Sequence, residues 1–575
     1  MKALWQYLKP FKKQLVIGPF FKLAEAVLEL FIPMLMAFVI DRGVRENDLG
    51  YVFKMGLVML ATVVLGLIFA YICQYSASIA SQGFGTNVRN ALFTHVGKLS
   101  YSQIEEYGPA ALVNRITNDV NVAQTSVAMI IRLLIRAPFI SIGSVIMAMF
   151  IDFKLALLFL ISLPVFVLAI YLVMRKTIPM YKRVQGKTDA VAGVLRENLL
   201  GVRVIRAFDR QQDEQVRFEE RNRDFEKLVV RVGKISAVMN PVTMLLMNFV
   251  VVGILYFGAN RVYTGGMTQG EITAFISYAS YMMTALVVLA SLIVLLTRGI
   301  ASAQRISALL SIEPGFEQQE HLSGESDCKV RFDNVSFSYN SESEYAVENI
   351  SFSVSKGESI GIIGGTGAGK STVVNLISRI YTATKGTVLF NGVDIKKYDA
   401  ALLHQKIGVA SQKAVLLSGT VAGNVRQGDP AASDEAVIRA LKCAHAYEFV
   451  TAKEDGINSA VTRGGTNFSG GQKQRLSIAR AVVKNPEILI LDDSLSALDY
   501  ATESKVREAI RGLSKEMSLV VVSQRVSSVM NCDKILLLDQ GVQVGFAPHE
   551  MLLESSGLYR EICTSQLGEE GAVQK

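Results

Sequence analysis

The pattern of apolar and polar positions divides the chain into two unlike parts. Long, almost uncharged apolar stretches crowd the N-terminal part and thin out afterwards. A helix needs roughly 20 mostly apolar residues to cross a bilayer. Six stretches meet that length, at residues 15–40, 55–75, 131–151, 155–174, 242–262 and 272–296. The pattern therefore predicts six membrane-spanning helices.

The segments between these stretches alternate in length and charge. Residues 41–54, 152–154 and 263–270 are short with little basic excess, whereas residues 76–130 and 175–239 are long and basic. Basic loops favour the cytoplasmic side of a membrane, so we expect the two long segments there. Their polar and apolar residues recur at helical spacing, which predicts helices that continue the spans inward.

The C-terminal part has a different pattern, in which short apolar runs alternate with helical stretches. Residues 360–363, 407–410, 488–491 and 518–522 each indicate a buried strand. Strands that alternate with helical patterns predict an α/β domain with a parallel sheet.

A glycine-rich sequence follows the strand at 360–363 and precedes a helical pattern. It consists of Gly364, Gly365, Thr366, Gly367, Ala368, Gly369, Lys370 and Ser371, with Thr372 next in the chain. This order fits GxxxxGK[ST], in which backbone amides surround a β-phosphate. Lys370 would reach the β- and γ-phosphates, and the Ser371 hydroxyl would bind Mg²⁺. The motif predicts ATP and Mg²⁺ as ligands, with a chance glycine-rich turn as the alternative.

A second group of candidate residues lies between positions 467 and 499. Ser469 stands where a helix N-cap belongs, and Gly470, Gly471 and Gln472 follow it, so bare amides at the helix start would attract an anion. About twenty residues later, the strand at 488–491 delivers Asp492 and Asp493 at its carboxyl end, where open α/β sheets bind ligands. Asp492 is a candidate ligand for Mg²⁺.

With these motifs in this order, the chain resembles the ABC transporter ATPases over nearly its whole length. The resemblance implies an all-α membrane domain of six helices, followed by an α/β P-loop ATPase domain with a helical subdomain. The expected boundaries are 1–302 for the membrane domain, 303–328 for a linker and 329–575 for the ATPase domain. It also implies that Tyr339 stacks on adenine and that Gln412 contacts Mg²⁺; core packing of the ring and a surface amide are the alternatives.

Two positions depart from the pattern of that family. Asp493 stands where a hydrolysing member has Glu, and one methylene less places the carboxylate poorly to orient an attacking water. Gln524 stands where the family has His, and a neutral amide cannot carry the imidazole's charge or proton. Both departures fall on one nucleotide site. Neutral drift in an active enzyme is the alternative.

The family's mode of assembly gives these departures a consequence. Its ATPase domains pair head to tail, so that each ATP lies between the phosphate loop of one chain and the SGGQ sequence of the other. The resemblance then implies that this chain keeps a slow site of its own and completes the hydrolytic site of a non-identical partner half-transporter. This arrangement is similar to the bacterial heterodimeric exporters with one degenerate site.

Composition and charge limit the classes of function that fit this chain. The mean hydropathy of +0.32 indicates a membrane protein, and the resemblance implies export of amphipathic drug-like or lipid-like molecules across the plasma membrane. The net charge of +8 is explained by basic segments between the spans, so nucleic acid is not an expected partner. A slow homodimeric exporter and a membrane-tethered regulatory ATPase are the two rival hypotheses.

Charged residues in the spans, two short segments between them and the cysteines of the whole chain carry further predictions. Charged residues occur within or beside the predicted spans, namely Lys22, Glu25, Glu29, Arg132 and Arg136. They either line an inward-open cavity that favours cationic amphiphiles or form structural ion pairs. Residues 115–120 and 204–208 resemble the family's coupling elements, and each is expected to dock on an ATPase domain. The five cysteines lack metal-ligand spacing and are expected to be reduced thiols.

Overall fold

The computed structural model describes residues 2–315, 322–339, 344–513 and 516–571. The chain forms two compact units. The first comprises Met1–His95 and Ala110–Ile312, and the second comprises Val96–Pro109 and Glu313–Lys575.

The first unit is entirely helical in the residues described. Its helices, with the short α4 that belongs to the second unit, are α1 (Lys2–Leu8), α2 (Lys12–Phe38), α3 (Leu49–Val96), α4 (Tyr101–Tyr107), α5 (Pro109–Asn114), α6 (Val120–Met129), α7 (Arg136–Ile151), α8 (Phe153–Ala207), α9 (Gln211–Ala237), α10 (Met239–Tyr263) and α11 (Gln269–Leu310). Short π-helical turns at Val39–Val44, Arg115–Asp119 and Ile130–Leu134 extend or join them.

The six predicted spans are confirmed. In the described part of the chain, six continuous helical stretches are long and apolar enough to cross a membrane, and each contains one predicted span. The predicted inward extensions are also helical, because α3 and α8 run on well past their apolar segments. The apolar run of α3 is mostly exposed, with Phe53 and Leu67 at 74 % and 68 %, as expected of a lipid-facing surface.

Buried aromatic rings and hydrogen bonds between helices hold this unit together. Phe159 and Phe275 pack with their ring centroids 5.7 Å apart, and the buried Tyr278 hydroxyl donates to the Leu30 carbonyl at 2.8 Å. At one end of α11, the Asp41 carboxylate accepts from the Thr268 hydroxyl at 2.6 Å and from the Gly270 amide at 2.9 Å. Bonds to a charged acceptor are stronger than neutral ones, so the N-terminus of α11 is firmly fixed to the end of α2.

The charged residues of the spans form ion pairs. Lys22 Nζ lies 2.7 Å from Glu25, and Arg136 lies 2.7 Å from Glu29. Arg132 donates to the Ser78 hydroxyl at 3.0 Å. Because both glutamates are neutralised by a cation, these contacts favour the structural alternative over a site that attracts cationic molecules.

The second unit is a mixed sheet with helices on both faces. Its strands are β1 (Cys328–Phe337), β2 (Val347–Ser355), β3 (Ser359–Gly364), β4 (Lys385–Phe390), β5 (Val393–Asp394), β6 (Ile407–Ala410), β7 (Gly419–Thr420), β8 (Ala460–Val461), β9 (Ile488–Asp492), β10 (Ser518–Val522), β11 (Lys534–Asp539) and β12 (Val542–Ala547). Its further helices are α12 (Lys370–Ile377), α13 (Ala400–Lys406), α14 (Val421–Val425), α15 (Asp434–Cys443), α16 (Tyr447–Thr451), α17 (Gly470–Val482), α18 (Tyr500–Arg511), α19 (Val526–Val529), α20 (His549–Ser555) and α21 (Gly557–Gly571).

The strand order places the candidate motifs side by side. Ten strands form one sheet in the order β5-β4-β1-β2-β12-β11-β3-β10-β9-β6. Within it, β11, β3, β10, β9 and β6 are parallel neighbours. The four predicted strands 360–363, 407–410, 488–491 and 518–522 correspond to β3, β6, β9 and β10. Parallel strands end at one edge, so the residues that follow them meet there.

The segment that joins the two units differs from its predicted bounds. Helix α11 continues to Leu310, past residue 303, because no glycine or proline occurs between residue 303 and Pro314. Strand β1 already begins at Cys328. All five cysteines are free, and four of them are buried.

Helix α4, in the first long basic segment, belongs to the second unit and packs against its aromatic residues. Within the second unit, the Tyr101 ring lies edge-on to Tyr381 at 5.7 Å, and the Tyr381 hydroxyl donates to Glu105 at 2.6 Å. Burial, with the Glu105 carboxylate second, raises the pKa of Tyr381 above its usual range. Asp119 instead lies in the first unit, where it accepts from Ser302 and Arg305 at 2.9 Å each. The contacts of α4 lie about one helix before residues 115–120, whose own docking stays a prediction.

A partly buried ion cluster connects distant parts of the second unit to the start of β9. The Glu487 carboxylate accepts from Lys329 at 2.9 Å, from Lys406 at 2.7 Å and from Asn391 at 3.0 Å. Burial alone raises the pKa of this carboxyl, but the hydrogen bonds from these three side chains outweigh it and lower the pKa to about 2. The cluster therefore stabilises the folded state with Glu487 ionised.

We expect Glu487→Gln to lower the free energy of unfolding by about 2 kcal/mol, because it leaves the nearly buried Lys329 without its countercharge. Thermal unfolding of the full chain checks this. The folded pKa lies below the ordinary value of 4.5, so the contribution of Glu487 is complete above pH 4.5 and is lost as pH falls toward 2. The difference between wild type and variant should shrink over that interval. The exposed Glu516, 3.2 Å from Lys356, provides the control Glu516→Gln, which should change little.

Candidate nucleotide-binding site

The candidate site lies at the carboxyl ends of four neighbouring parallel strands. The glycine-rich loop follows β3, and Gln524 follows β10. Asp492 ends β9, and Gln412 lies just after β6. The loop, both aspartates and both glutamines line one cavity of about 370 Å³. Four motifs that are far apart in the sequence thus converge on one site.

Glycine conformation shapes the loop between β3 and α12. Gly367 and Gly369 have φ angles of 82° and 90°, which side chains rarely tolerate. A Cβ atom at Gly369 would lie 2.6 Å from the Val347 side chain and 2.9 Å from the Ala346 carbonyl. The loop therefore presents bare backbone to the cavity at the N-terminus of α12, as a polyphosphate site requires.

Lys370 contributes a positive charge to this cavity. Its Nζ donates to the carbonyls of Gly364 at 2.9 Å and Gly365 at 2.6 Å, so the side chain curls back over the loop. Burial lowers the pKa of this ammonium, while Asp493 and Asp492 oppose that effect. A partly desolvated ammonium gains most from a phosphate placed beside it.

The acidic residues lie opposite the lysine. The Ser371 hydroxyl donates to Asp492 at 3.4 Å, and Gln412 Nε2 donates to Asp493 at 3.4 Å. Burial raises the pKa of both aspartates. In the described residues, no cluster of three His, Cys, Asp or Glu side chains could hold a metal alone. The hydroxyl and the carboxylate instead suit Mg²⁺, which binds one or two protein oxygens together with substrate phosphates.

The backbone around Asp493 is held in an unusual conformation. Its φ is 45°, in the left-handed region. The Asp493 amide donates to the Val522 carbonyl at 2.9 Å, and its own carbonyl accepts from the Ser496 hydroxyl at 2.7 Å. The backbone therefore cannot advance to compensate for the short side chain.

Tyr339 forms one wall of the cavity. It is 47 % exposed, and its hydroxyl lies 3.0 Å from Thr372 Oγ1. The rings of Tyr381 and Phe337 stand edge-on to it at 5.1 and 4.9 Å, which leaves a flat face available for stacking. Tyr345, the next tyrosine along the chain, has the Lys385 ammonium 5.1 Å from its ring centre.

The SGGQ residues are not among the described residues that line this cavity. They begin α17 with a capping box, in which Ser469 Oγ accepts from the Gln472 amide at 3.3 Å and Gln472 Oε1 accepts from the Ser469 amide at 3.0 Å. A Cβ on Gly470 would meet no atom within 4 Å, so this helix start is open. The same chain therefore offers a second anion-attracting surface apart from its own cavity.

Two supporting residues were missed from the sequence. The buried Gln474 donates to the Ser411 carbonyl at 3.0 Å and so fixes the backbone next to Gln412. The buried Glu503 accepts from the Ser528 hydroxyl at 2.7 Å and links α18 to α19. A polar residue on the apolar face of a helix was the available signal in each case.

Comparison with known proteins agrees with this architecture. The ABC transporter transmembrane region family matches residues 15–286, and the ABC transporter family matches residues 347–496. An uncharacterised ABC transporter ATP-binding protein of Mycobacterium tuberculosis is 34 % identical over 98 % of both chains. The chain belongs to the ABC transporter family. This ABC transporter is also 28 % identical to the ATP-dependent lipid A-core flippase of Pasteurella multocida, over 98 % of this chain and 97 % of that protein.

A solved structure supports the same fold. A bacterial Atm1-family ABC exporter with ATP bound matches with a TM-score of 0.82 and 22 % identity, over 96 % of this chain and 98 % of that chain. The protein is thus an ABC half-transporter that fuses a multi-pass membrane domain to a cytoplasmic ATPase domain. Its ATPase domain binds and hydrolyses ATP.

Proposed function

We propose that this protein is one half of a heterodimeric ABC exporter, and that its own nucleotide site is degenerate. The observation that carries the proposal is the pairing of Asp493 and Gln524 in one cavity with an otherwise complete set of ATP-binding groups. Loss of the longer carboxylate and of the imidazole removes water orientation and proton transfer but leaves phosphate binding.

Contacts of Asp493 support slow turnover. Its carboxylate accepts from Gln412, and its backbone is held at both amide and carbonyl. A carboxylate that is one methylene short and fixed at its backbone stays farther from the γ-phosphate than a glutamate would. The site should therefore bind ATP and turn it over slowly.

The SGGQ residues supply the second half of the proposal. Ser469, Gly470, Gly471 and Gln472 form an intact, open helix start outside the cavity. We infer that this surface completes the hydrolytic site of a non-identical partner chain, with Glu and His supplied by that partner. A slow homodimer with two identical impaired sites is the rival assembly.

Mg²⁺ fits the groups opposite Lys370. Ser371, Gln412 and Asp492 would hold the ion, which supplies neutralisation of phosphate charge when bound. The chain's own residues orient the nucleotide: the glycine loop through its amides, Lys370 through its ammonium and Tyr339 through its ring.

The proposed cargo is an amphipathic molecule of drug or lipid type. The similarity to lipid A-core flippases supports a lipid-like cargo. The pairing of Glu25 with Lys22 and of Glu29 with Arg136 gives no reason to require a cationic one. ATP binding would bring the two ATPase domains together and bias the membrane domain toward the outward-facing state, and hydrolysis at the competent site would reset it.

Flux into inside-out vesicles tests this function against a regulatory role. Vesicles that contain the chain and its co-purified partner should accumulate a fluorescent amphiphile or lipid when ATP is added. Vesicles with Lys370→Ala in this chain should accumulate less. ATP hydrolysis without flux of either class of compound would instead support the membrane-tethered regulator.

A further inference from the structure

Residues 523–526, which we call the switch segment, contain Gln524 and are held by a side chain of α21. Gln566 Nε2 donates to the Gln524 carbonyl at 2.8 Å, and Gln566 Oε1 accepts from the Val526 amide at 2.8 Å. One primary amide thus binds the backbone on both sides of Arg525. A primary amide can donate and accept at once, whereas an ionised carboxylate can only accept and an ammonium can only donate.

The helix that carries Gln566 is anchored independently of the switch segment. Tyr559 and Cys563 of α21 are fully buried, and the Tyr559 hydroxyl lies 2.7 Å from His549 Nδ1 of α20. Gly568, with a φ of 77°, breaks the helix just after Gln566. Helix α21 is therefore held in place, and the side-chain amide of Gln566 lies in its last regular turn.

We propose that Gln566 is a positioning residue that holds Gln524 against the nucleotide. The switch segment runs directly from β10, where the Ser523 amide donates to the Ile362 carbonyl at 3.1 Å. Within the segment, the Ser523 hydroxyl accepts from the Arg525 amide at 3.0 Å. Without Gln566, the Gln524 carbonyl and the Val526 amide would turn to solvent. The backbone that places the Gln524 side chain at the cavity wall would then lose both hydrogen bonds. This inference rests on the proposed position of Gln524 beside the γ-phosphate.

The test compares nucleotides that differ at the γ-phosphate. Photolabelling of the full-length chain with 8-azido-ATP is competed with AMP-PNP or ADP, and the label on this chain is read from a gel. Gln566→Leu should raise the apparent Kd for AMP-PNP about 2- to 10-fold, as expected for lost hydrogen bonds, and that for ADP less than about 2-fold. Gln566→Glu should raise the apparent Kd for AMP-PNP in the same way, because a carboxylate cannot donate to the Gln524 carbonyl.

Control variants distinguish loss of the two Gln566 hydrogen bonds from general destabilisation of the fold. Ser565→Ala, on the exposed side of the same helix, should leave both Kd values unchanged. Gln524→Ala should reproduce the selective loss, and adding Gln566→Leu to it should cause little further change, since both act through one side chain. Three results would each overturn the proposed role of Gln566. They are equal losses of affinity for AMP-PNP and ADP, additive losses in the double variant, and no loss in Gln566→Leu while Gln524→Ala shows one. No loss in Gln524→Ala would refute the proposed position of Gln524 itself.

Discussion

Gly470→Asp is expected to reduce ATP hydrolysis by the co-purified complex at least about 30-fold. In the proposed assembly, the open start of α17 faces the phosphates bound to the partner chain. A carboxylate there replaces attraction by repulsion, and about 2 kcal/mol between like charges a few ångströms apart suffices for a 30-fold loss. Steady-state phosphate release measures it.

The structure offers a close control for this variant. Gly470 and Gly557 are both the first residue of a helix, and a Cβ at either position meets no atom within 4 Å. An acidic residue at a helix N-terminus is favourable for the helix itself, so neither variant should unfold. Gly557→Asp should keep full hydrolysis. Equal activity of the two variants would show that the SGGQ surface takes no part in hydrolysis.

The second large effect is a gain of function. Restoring both family residues, in the double variant Asp493→Glu with Gln524→His, should raise hydrolysis by the chain purified alone about 10- to 100-fold. The longer carboxylate reaches the position from which water is oriented, and an imidazole returns a charge and a proton donor to the switch segment. Steady-state phosphate release by the chain in lipid nanodiscs, with equal protein concentration, measures the gain.

Lys370→Ala in the same background should abolish the gain, since the lysine binds the phosphates at that cavity. Asp493→Asn with Gln524→His serves as a second control, because an amide cannot act as a base. A double variant that remains as slow as wild type would mean that some feature other than these two residues limits this site.

The features that the sequence predicted best depend on local pattern. The six spans follow from the number of consecutive apolar residues, and the cavity follows from motifs that end adjacent parallel strands. Four residues meet because each lies at or shortly after the carboxyl end of such a strand, namely Lys370, Asp492, Gln412 and Gln524. No long-range contact had to be known to place them.

The features that the sequence did not predict depend on contacts between distant residues. Gln566 lies about forty positions from the backbone that it holds, and nothing in its neighbourhood distinguishes it from a surface glutamine. The docking of α4 likewise depends on the Tyr381 ring, and the pairing of Glu29 depends on Arg136 of another helix. Charged residues at helical spacing fit either a cavity or an ion pair, and only packing decides between them.

Hydrolysis by the co-purified complex that carries Asp493→Asn tests most directly whether the two chains have different roles in ATP hydrolysis. If this chain's cavity mainly retains nucleotide while its SGGQ surface serves the partner, phosphate release should stay within about 2-fold of wild type, because the partner's carboxylate orients the attacking water. A loss of about tenfold or more would contradict the account, because Asp493 would then be a working catalytic group.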